Sequence, residues 1–479
     1  MRFRTTLILA AVFAGLLAYV FLVEEPKREQ EAKKKTLLAA QADDVTGVTL
    51  TFADREIVLK NVDGTWRVVG PVDAPADAVT VTNLINAAVQ AEATKDLGDA
   101  GGNLAQYGLD KPFVAITLTT KDKTLPTVLV GKTTPVGAAV YAKLADAPNV
   151  VLTGGALRAG MDKQAKDLRD KTIVAFGDPE LRKIELRGDG KDIVLAQQDN
   201  AWRIEQPFTS AADPAAVRNF LSSLRSLRAT DFPADQPTGL AAYGLDKPRL
   251  QITLTLGDQG NTQTLLIGAG NDKKEMYVQR AGQPTVYTVS DFSYRDLDKS
   301  VNDFRDKTVL AFEPAKVVGL SIASADGTFA LMRGEANTWR LDGSDAKIAA
   351  SAVTQYLDEL RELKGWLIAA DLPADLKTLG LEPPSLTVTL TGEGSQEIGT
   401  VLIGKRPSGE GQSEYTAMAG GGSTVFVARD YLVKRLEKKA DAFVEKPTPV
   451  PGTPRVGGPP AEALEDEGML GEEPVDPGD

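Results

Sequence analysis

The chain has 479 residues, 42% of them hydrophobic and 25% charged, a composition typical of soluble globular domains and a length sufficient for about three of them. Its 54 basic and 66 acidic residues give a formal charge of −12, which disfavours nucleic-acid binding. The absence of cysteine and histidine excludes disulfides, Ser-His-Asp catalysis and metal sites that need either ligand. Composition therefore favours a binding or scaffolding protein over an enzyme.

The N-terminus predicts a membrane anchor. Residues 5–23 are uncharged and rich in Leu, Ala, Val and Phe, and at about 1.5 Å per residue such a helix would cross the hydrocarbon core. The alternative is a cleaved signal peptide, but no small-residue cleavage pattern follows Val23. A short basic head normally stays in the cytoplasm. We therefore predict a signal-anchor that contacts membrane lipid through residues 5–23, within an anchor and juxtamembrane segment spanning 1–35.

Three copies of one repeat fill the middle of the chain. The sequence Tyr-Gly-Leu-Asp-Lys-Pro occurs at 107–112 and again 136 residues later at 243–248, and a degraded copy stands at 379–384. Three Trp-Arg pairs and three apolar runs that end in glycine keep nearly the same period; these markers are Trp66, Trp202 and Trp339, and Gly131, Gly268 and Gly404. A unit of this length can hold its own core. The predicted domains are repeat 1 (38–176), repeat 2 (177–312) and repeat 3 (313–444).

The order of elements is the same in every repeat. Alternating apolar positions predict a hairpin, and the Trp-Arg strand follows a turn. An amphipathic helix comes next, with Val217, Phe220 and Leu221 on one face in repeat 2 and Asp213 as its N-cap. After further β-rich runs, a second helix closes each copy, over 156–169, 291–305 and 430–439. The predicted fold class is α+β: three tandem repeats of mostly antiparallel sheet with helices on one side, plus one N-terminal transmembrane helix.

The C-terminal segment 445–479 predicts a disordered acidic tail. It is rich in proline and glycine and carries more than half of the net negative charge of the chain. Such a segment cannot bury enough apolar surface to offset the entropy lost on ordering.

Two sets of residues are candidates for ligand binding. Each tryptophan of the Trp-Arg pairs could stack on a sugar ring beside a guanidinium group, or it could close the core of its repeat. The aspartates of the Tyr-Gly-Leu-Asp-Lys-Pro motif could bind a ligand, or the motif could be a turn that needs its glycine and proline. The candidate binding residues are Trp66, Trp202, Trp339, Asp110 and Asp246.

A basic motif ends the first two copies. Arg169-Asp170-Lys171 and Arg305-Asp306-Lys307 each lead into the next repeat, and the third copy keeps only Ala442-Phe443. These residues could form ion pairs between repeats, or they could be solvated helix ends where basic residues suit the helix dipole. The sequence leaves both interpretations open.

No enzymatic motif is complete. A phosphate-binding loop would need a glycine where Pro126 stands, so no nucleotide site is predicted. No two carboxylates have a defined separation that would predict a glycosidase. We predict no catalytic residue, no metal and no cofactor.

In combination, these markers resemble the bacterial domain of unknown function 4340 family. The resemblance covers about 38–444, and the third copy is divergent. It implies one N-terminal membrane segment, a place in the bacterial cytoplasmic membrane with the bulk of the chain in the periplasm, and association with gliding-motility-type ABC transporter components. No biochemical activity is established for the family, so the resemblance assigns no functional residues.

The predicted function is that of a non-enzymatic, membrane-anchored extracytoplasmic accessory or scaffold protein, an auxiliary component of an ABC-type transport or motility system. Its expected partner is a protein of the cell envelope, with no nucleic acid and no nucleotide. The alternative is a binding module for cell-envelope glycan or peptide. A hydrolase that uses carboxylate or Ser/Lys chemistry is a third hypothesis, for which the sequence offers no candidate nucleophile.

Overall fold

The computed structural model describes residues 36–373, 375–407 and 413–445, which form three antiparallel sheets. The strands of the first sheet are β1 (Val45–Thr51), β2 (Glu56–Val62), β3 (Thr65–Gly70), β4 (Ala74–Pro75), β5 (Lys95–Asp99), β6 (Val114–Thr120), β7 (Val128–Thr133), β8 (Ala139–Leu144) and β9 (Asn149–Gly154). The strands of the second sheet are β10 (Leu181–Gly188), β11 (Lys191–Gln198), β12 (Ala201–Gln206), β13 (Ser210–Ala211), β14 (Asp231–Ala234), β15 (Leu250–Leu256), β16 (Asn261–Gly270), β17 (Glu275–Arg280) and β18 (Val286–Ser290).

The third sheet is built in the same way. Its strands are β19 (Gly319–Ser324), β20 (Gly327–Arg333), β21 (Trp339–Leu341), β22 (Gly365–Asp371), β23 (Leu386–Thr391), β24 (Glu397–Pro407), β25 (Ser413–Ala419) and β26 (Thr424–Ala428). The α-helices are α1 (Ala78–Val89), α2 (Ala156–Met161), α3 (Ala165–Leu168), α4 (Pro214–Ser226), α5 (Asp291–Leu297), α6 (Val301–Phe304), α7 (Ala350–Arg361) and α8 (Asp430–Leu436).

Each sheet is two meanders joined at its centre. The strand order is β4-β3-β2-β1-β6-β7-β8-β9-β5 in the first sheet, and β13-β12-β11-β10-β15-β16-β17-β18-β14 in the second. Among the described residues, the third sheet follows the same order without the short strand that corresponds to β4. In the first two sheets the long helix lies in the chain between the two edge strands, so α1 carries the chain from the edge at β4 to the opposite edge at β5.

The long helix of each repeat packs on one face of its sheet. In β15 the residues Leu250, Ile252 and Leu254 are buried and alternate with more exposed ones, as expected for a strand with one face on a core. The apolar face of α4 contributes Phe220 and Leu224 to the same core. Corresponding cores form in repeats 1 and 3, so each sheet is covered by its own helix.

The second helix of a repeat is broken in two. In repeat 2, α5 ends before Asp298, and a new helix starts after Ser300, whose side chain and that of Asp303 form a reciprocal capping box. The prediction of continuous helices over 156–169 and 291–305 is therefore wrong. The described residues are mostly antiparallel sheet with short helices, and this corrects the predicted α+β class.

The prediction of a membrane anchor is also corrected. Across the three described ranges, no helix has both the length and the apolar composition needed to cross a bilayer. The predicted span at 5–23 and its lipid contacts lie outside those ranges, as does the predicted tail beyond Glu445. The structure thus supports neither the transmembrane helix in the fold class nor a single-pass location in the bacterial cytoplasmic membrane with the bulk of the chain in the periplasm.

The chain divides into two compact units at Asp306 and Lys307. Repeats 1 and 2 form the first unit, apart from the last residues of repeat 2, and repeat 3 lies in the second. The junction between repeats 1 and 2 therefore lies inside a single unit.

Candidate functional site

The Tyr-Gly-Leu-Asp-Lys-Pro motif forms a turn that packs on its own sheet. Gly108 and Gly244 follow short 3₁₀ helices in the left-handed conformation, with φ of 67° and 65°. The ring of Tyr107 lies 5.0 Å from that of Tyr141, and the ring pair in repeat 2 has the same separation. These contacts favour the interpretation of the motif as a structural turn.

The glycine that ends each apolar run lets this turn approach the sheet. A Cβ atom on Gly131 would lie 2.3 Å from the carbonyl oxygen of Tyr107, and one on Gly268 would lie 2.2 Å from that of Tyr243. Gly404 is equally crowded by backbone in repeat 3. The two recurrent motifs therefore recur together because they contact each other.

Asp110 and Asp246 lie on the outer side of this turn. Both side chains are exposed. Within the described ranges, no hydrogen bond or ion pair joins either aspartate to a Trp-Arg pair, so the structure does not bring the two sets of candidate residues together.

The three tryptophans differ in their burial. Trp66 and Trp339 are buried in the cores of repeats 1 and 3, with 9% and 8% of their surface exposed. Trp202 is only half-buried and packs on the edge of the core of repeat 2. The side chain of Trp202 lines an open cleft.

This cleft, which we call the tryptophan cleft, has a volume of about 370 Å³. It is lined by Asp178, Leu181, Gln197, Trp202, Arg218, Leu221 and Arg225. Its residues come from β10, β11, β12, α4 and the turn before β10, all within repeat 2. Leu181 and Leu221 are buried and form its apolar floor.

Two arginines lie on the rim of the tryptophan cleft. Arg225 is ion-paired with Asp178, and its guanidinium carbon lies 4.9 Å from the centroid of the Phe176 ring. Arg218 is exposed and has neither a hydrogen bond nor an ion pair with any residue that the structure describes. The corresponding residues of α1 and α7 are Thr82 and Thr354, so Arg218 belongs to repeat 2 alone.

A second candidate site, the repeat joint, lies where repeat 1 meets repeat 2. The side chain of Arg169 is 8% exposed and donates two hydrogen bonds to the carboxylate of Asp235, at 2.6 and 3.2 Å. Its guanidinium carbon also lies 3.8 Å from the centroid of the Phe232 ring. Phe232 lies in β14, the edge strand of the second sheet, and Asp235 comes directly after it, so the end of repeat 1 is held on that edge.

A second ion pair strengthens the repeat joint. Lys166, on α3, lies 3.1 Å from the carboxylate of Asp231. Burial acts to raise the pKa of Asp231, but the backbone N–H of Phe232 and the ammonium group of Lys166 outweigh it and leave that pKa below its ordinary value. The carboxylate is therefore charged under neutral conditions and attracts Lys166.

The backbone of the repeat joint has almost no free length. The N–H of Asp170 donates to the carbonyl of Pro75 in repeat 1, at 2.9 Å. The carbonyl of the next residue, Lys171, accepts from the N–H of Ala229 in repeat 2, also at 2.9 Å. The chain therefore passes from one repeat to the other between adjacent residues, without a linker.

The position of Arg169 can be located in every repeat. In each repeat, the carbonyl of the residue just before this position accepts the same 2.8 Å backbone hydrogen bond. These bonds run from Asp77 N to Leu168 O, from Asp213 N to Phe304 O and from Ala349 N to Phe443 O. The residues that follow these acceptors are Arg169, Arg305 and Val444. Arginine thus stands at this position in repeats 1 and 2, and valine stands there in repeat 3.

The sequence did not predict Asp235 as the partner of Arg169. A signal was present, because Asp99, Asp235 and Asp371 recur with the period of 136 residues. It was hidden by the many other exposed aspartates of an acidic chain. Among the described residues, no group of three or more acidic side chains could hold a metal ion.

Comparison with known proteins gives one family. No curated protein and no solved structure matches the chain. A family model matches three times, over residues 66–238, 202–364 and 339–448, and every match begins at one of the three Trp-Arg pairs. These matches cover most of the chain and confirm the tandem copies, and the chain therefore belongs to the family described as a domain of unknown function, DUF4340.

Proposed function

We propose that the protein is a non-enzymatic accessory or scaffold protein that holds repeats 1 and 2 in a fixed mutual orientation for a protein partner. The observation that carries this proposal is the repeat joint. Arg169 is buried there and bidentate to Asp235, a geometry that restricts rotation as well as separation. A flexible tether would have a polar linker in its place.

The proposed partner is a component of an ABC-type transport system. This part of the proposal rests on the resemblance stated above. Such components act as assemblies, and an accessory subunit with a rigid pair of repeats can contact more than one of them at a fixed spacing. Rigidity reduces the ordering entropy that binding would otherwise cost.

Chemical crosslinking in cells that produce the full chain, followed by co-purification, tests this function. We expect transporter components to be crosslinked to the natural protein and to be lost from the variant Arg169→Val, which carries the residue found at position 444. The matched control is Arg249→Val, because Arg249 forms an exposed ion pair with Asp189 away from the repeat joint. Equal recovery with all three proteins would contradict a role for the rigid joint.

The tryptophan cleft favours a second candidate function, the binding of a saccharide of the cell envelope. A half-buried indole beside exposed polar groups is the arrangement that stacks on a sugar ring and hydrogen-bonds its hydroxyl groups. Retention of the full chain on immobilised cell-envelope glycan, with loss of retention in Trp202→Ala, is the expected result. Retention that does not depend on Trp202 would contradict it.

A further inference from the structure

We propose that the tryptophan cleft of repeat 2 is a binding site for an acidic saccharide, one that carries a carboxylate group, with one such site in each chain. This inference rests on the second candidate function and specifies its ligand class. It assigns the sugar ring to Trp202 and the carboxylate to Arg218.

The shape of the tryptophan cleft suits a short saccharide. Its volume of about 370 Å³ lies at the small end of the range for ligand pockets, about 300–1,000 Å³. Leu181 and Leu221 form an apolar floor, and the half-buried indole of Trp202 gives it an aromatic wall. The amide of Gln197 on the neighbouring strand offers a donor and an acceptor for hydroxyl groups.

The charges of the cleft suit a single anionic group. Asp178 already neutralises Arg225 and fixes its guanidinium in place against Phe176. Arg218 has no such partner among the described residues, so the cleft carries one uncompensated positive charge in a chain whose net charge is −12. A planar guanidinium binds a carboxylate through two parallel hydrogen bonds.

The other two repeats lack this combination. Threonine replaces Arg218 at positions 82 and 354, and Trp66 and Trp339 are buried in their cores. A binding site built on the recurrent tryptophan alone would occur three times per chain. The cleft therefore predicts a stoichiometry of one.

Calorimetric titration of the full chain with trigalacturonate, and with the same trisaccharide fully methyl-esterified, tests the inference. The ester removes the negative charges and keeps the rings. We expect one molecule of trigalacturonate to bind per chain, about tenfold more tightly than the ester, which corresponds to about 1.4 kcal/mol. The preference should fall as salt is raised, because Arg218 is exposed.

Two variants locate the effect. Arg218→Thr places in repeat 2 the residue that stands in its relatives, and it should abolish the preference for the acid. Arg203 follows Trp202 in β12, and its exposed side chain lies on the opposite face of the strand. Arg203→Thr removes the same charge as Arg218→Thr and should leave the preference intact. Both positions are exposed, so both variants should fold normally, with unchanged thermal unfolding.

The results separate this inference from the function on which it rests. Equal affinity for the acid and the ester, with binding lost in Trp202→Ala, would keep the saccharide-binding function and overturn the acidic ligand class. Failure of both trisaccharides to bind would overturn both. Three sites per chain, or full competition by a short glutamate-rich peptide, would also overturn the inference, because neither is compatible with a single site that recognises a sugar ring.

Discussion

Arg169 and Asp235 belong to different repeats and form a bidentate ion pair, with one nitrogen–oxygen distance of 2.6 Å and the other of 3.2 Å. The arginine is almost fully buried, whereas a third of the aspartate side chain is exposed. Two repeats of a tandem array are thus joined by a directional contact as well as by the chain itself. Substitution of either residue tests how much this contact contributes to the stability of the first unit.

Arg169→Val should lower the free energy of unfolding by about 2 kcal/mol. The change leaves the carboxylate of Asp235 without its charged donors, and hydrogen bonds to charged groups contribute about 1.5–3 kcal/mol. Urea unfolding of the full chain measures the loss. Amide hydrogen exchange at Ala229 should become faster, because its N–H donates to the carbonyl of Lys171 in the repeat joint. Arg249→Val, at the exposed ion pair with Asp189, should change neither quantity, and an equal effect of both variants would contradict the role of the joint.

The repeat joint should weaken in acid. The pKa of Asp231 is lower in the folded protein than its ordinary value, because its hydrogen bonds to Phe232 and Lys166 outweigh the effect of burial. Its contribution to stability is therefore present above the unfolded pKa of about 3.9, and is lost as the pH falls through the folded value. The difference in unfolding free energy between the natural protein and Asp231→Asn should be constant near neutrality and shrink below about pH 4.

The matched control for this pH dependence is Asp258→Asn, because Asp258 is exposed and its ion pair with Arg182 lies outside the joint. That variant should differ little from the natural protein at any pH. A difference for Asp231→Asn that is the same at pH 3 and pH 7 would show that the carboxylate acts through its shape and not through its charge.

Gly268, near the end of β16, should not tolerate alanine. In Gly268→Ala the new Cβ would lie 2.2 Å from the carbonyl oxygen of Tyr243, and that oxygen belongs to backbone, which cannot move independently of its turn. We expect a loss of about 3 kcal/mol or more, at the upper end of overpacking costs. Gly239→Ala is the control in the same repeat, since nothing lies within 4 Å of its Cβ position and its φ is ordinary. Thermal unfolding distinguishes the two, and equal stability would contradict the close approach.

The sequence allowed the repeats to be predicted because their markers recur at one period, and the long helices because their apolar residues have helical spacing. It did not predict the break between α5 and α6, since Ser300 and Asp303 fit a helix interior and a capping box equally well. It did not decide whether Arg169 forms an ion pair between repeats or lies at a solvated helix end, because basic residues suit both positions. The partner on β14 is brought close only by the fold of the second sheet.

The candidate binding residues were predicted because they recur in the repeats. Recurrence alone could not distinguish a residue of the core from a residue that lines a cleft. Trp66 and Trp202 occupy corresponding strand positions and both follow a turn, yet one is buried and the other lines a cleft. The residues around the two rings also differ, since Thr82 stands in repeat 1 where Arg218 stands in repeat 2. A residue that departs from the repeat pattern therefore marks the proposed binding site more clearly than a residue that recurs.

The three tryptophans should accordingly differ in what they contribute to stability. Trp339→Ala and Trp66→Ala remove rings that are more than nine-tenths buried, and each should cost about 3–5 kcal/mol. Trp202→Ala should cost less, because the free energy of burial scales with the apolar area removed from water and part of this ring faces the tryptophan cleft. Urea unfolding of the three variants gives the order directly, and iodide should quench the fluorescence of Trp202 more than that of Trp66 in proteins that keep a single tryptophan. If Trp202→Ala proved as costly as the other two, the ring would close the core of repeat 2 in solution, and the cleft would lose the aromatic wall on which saccharide binding depends.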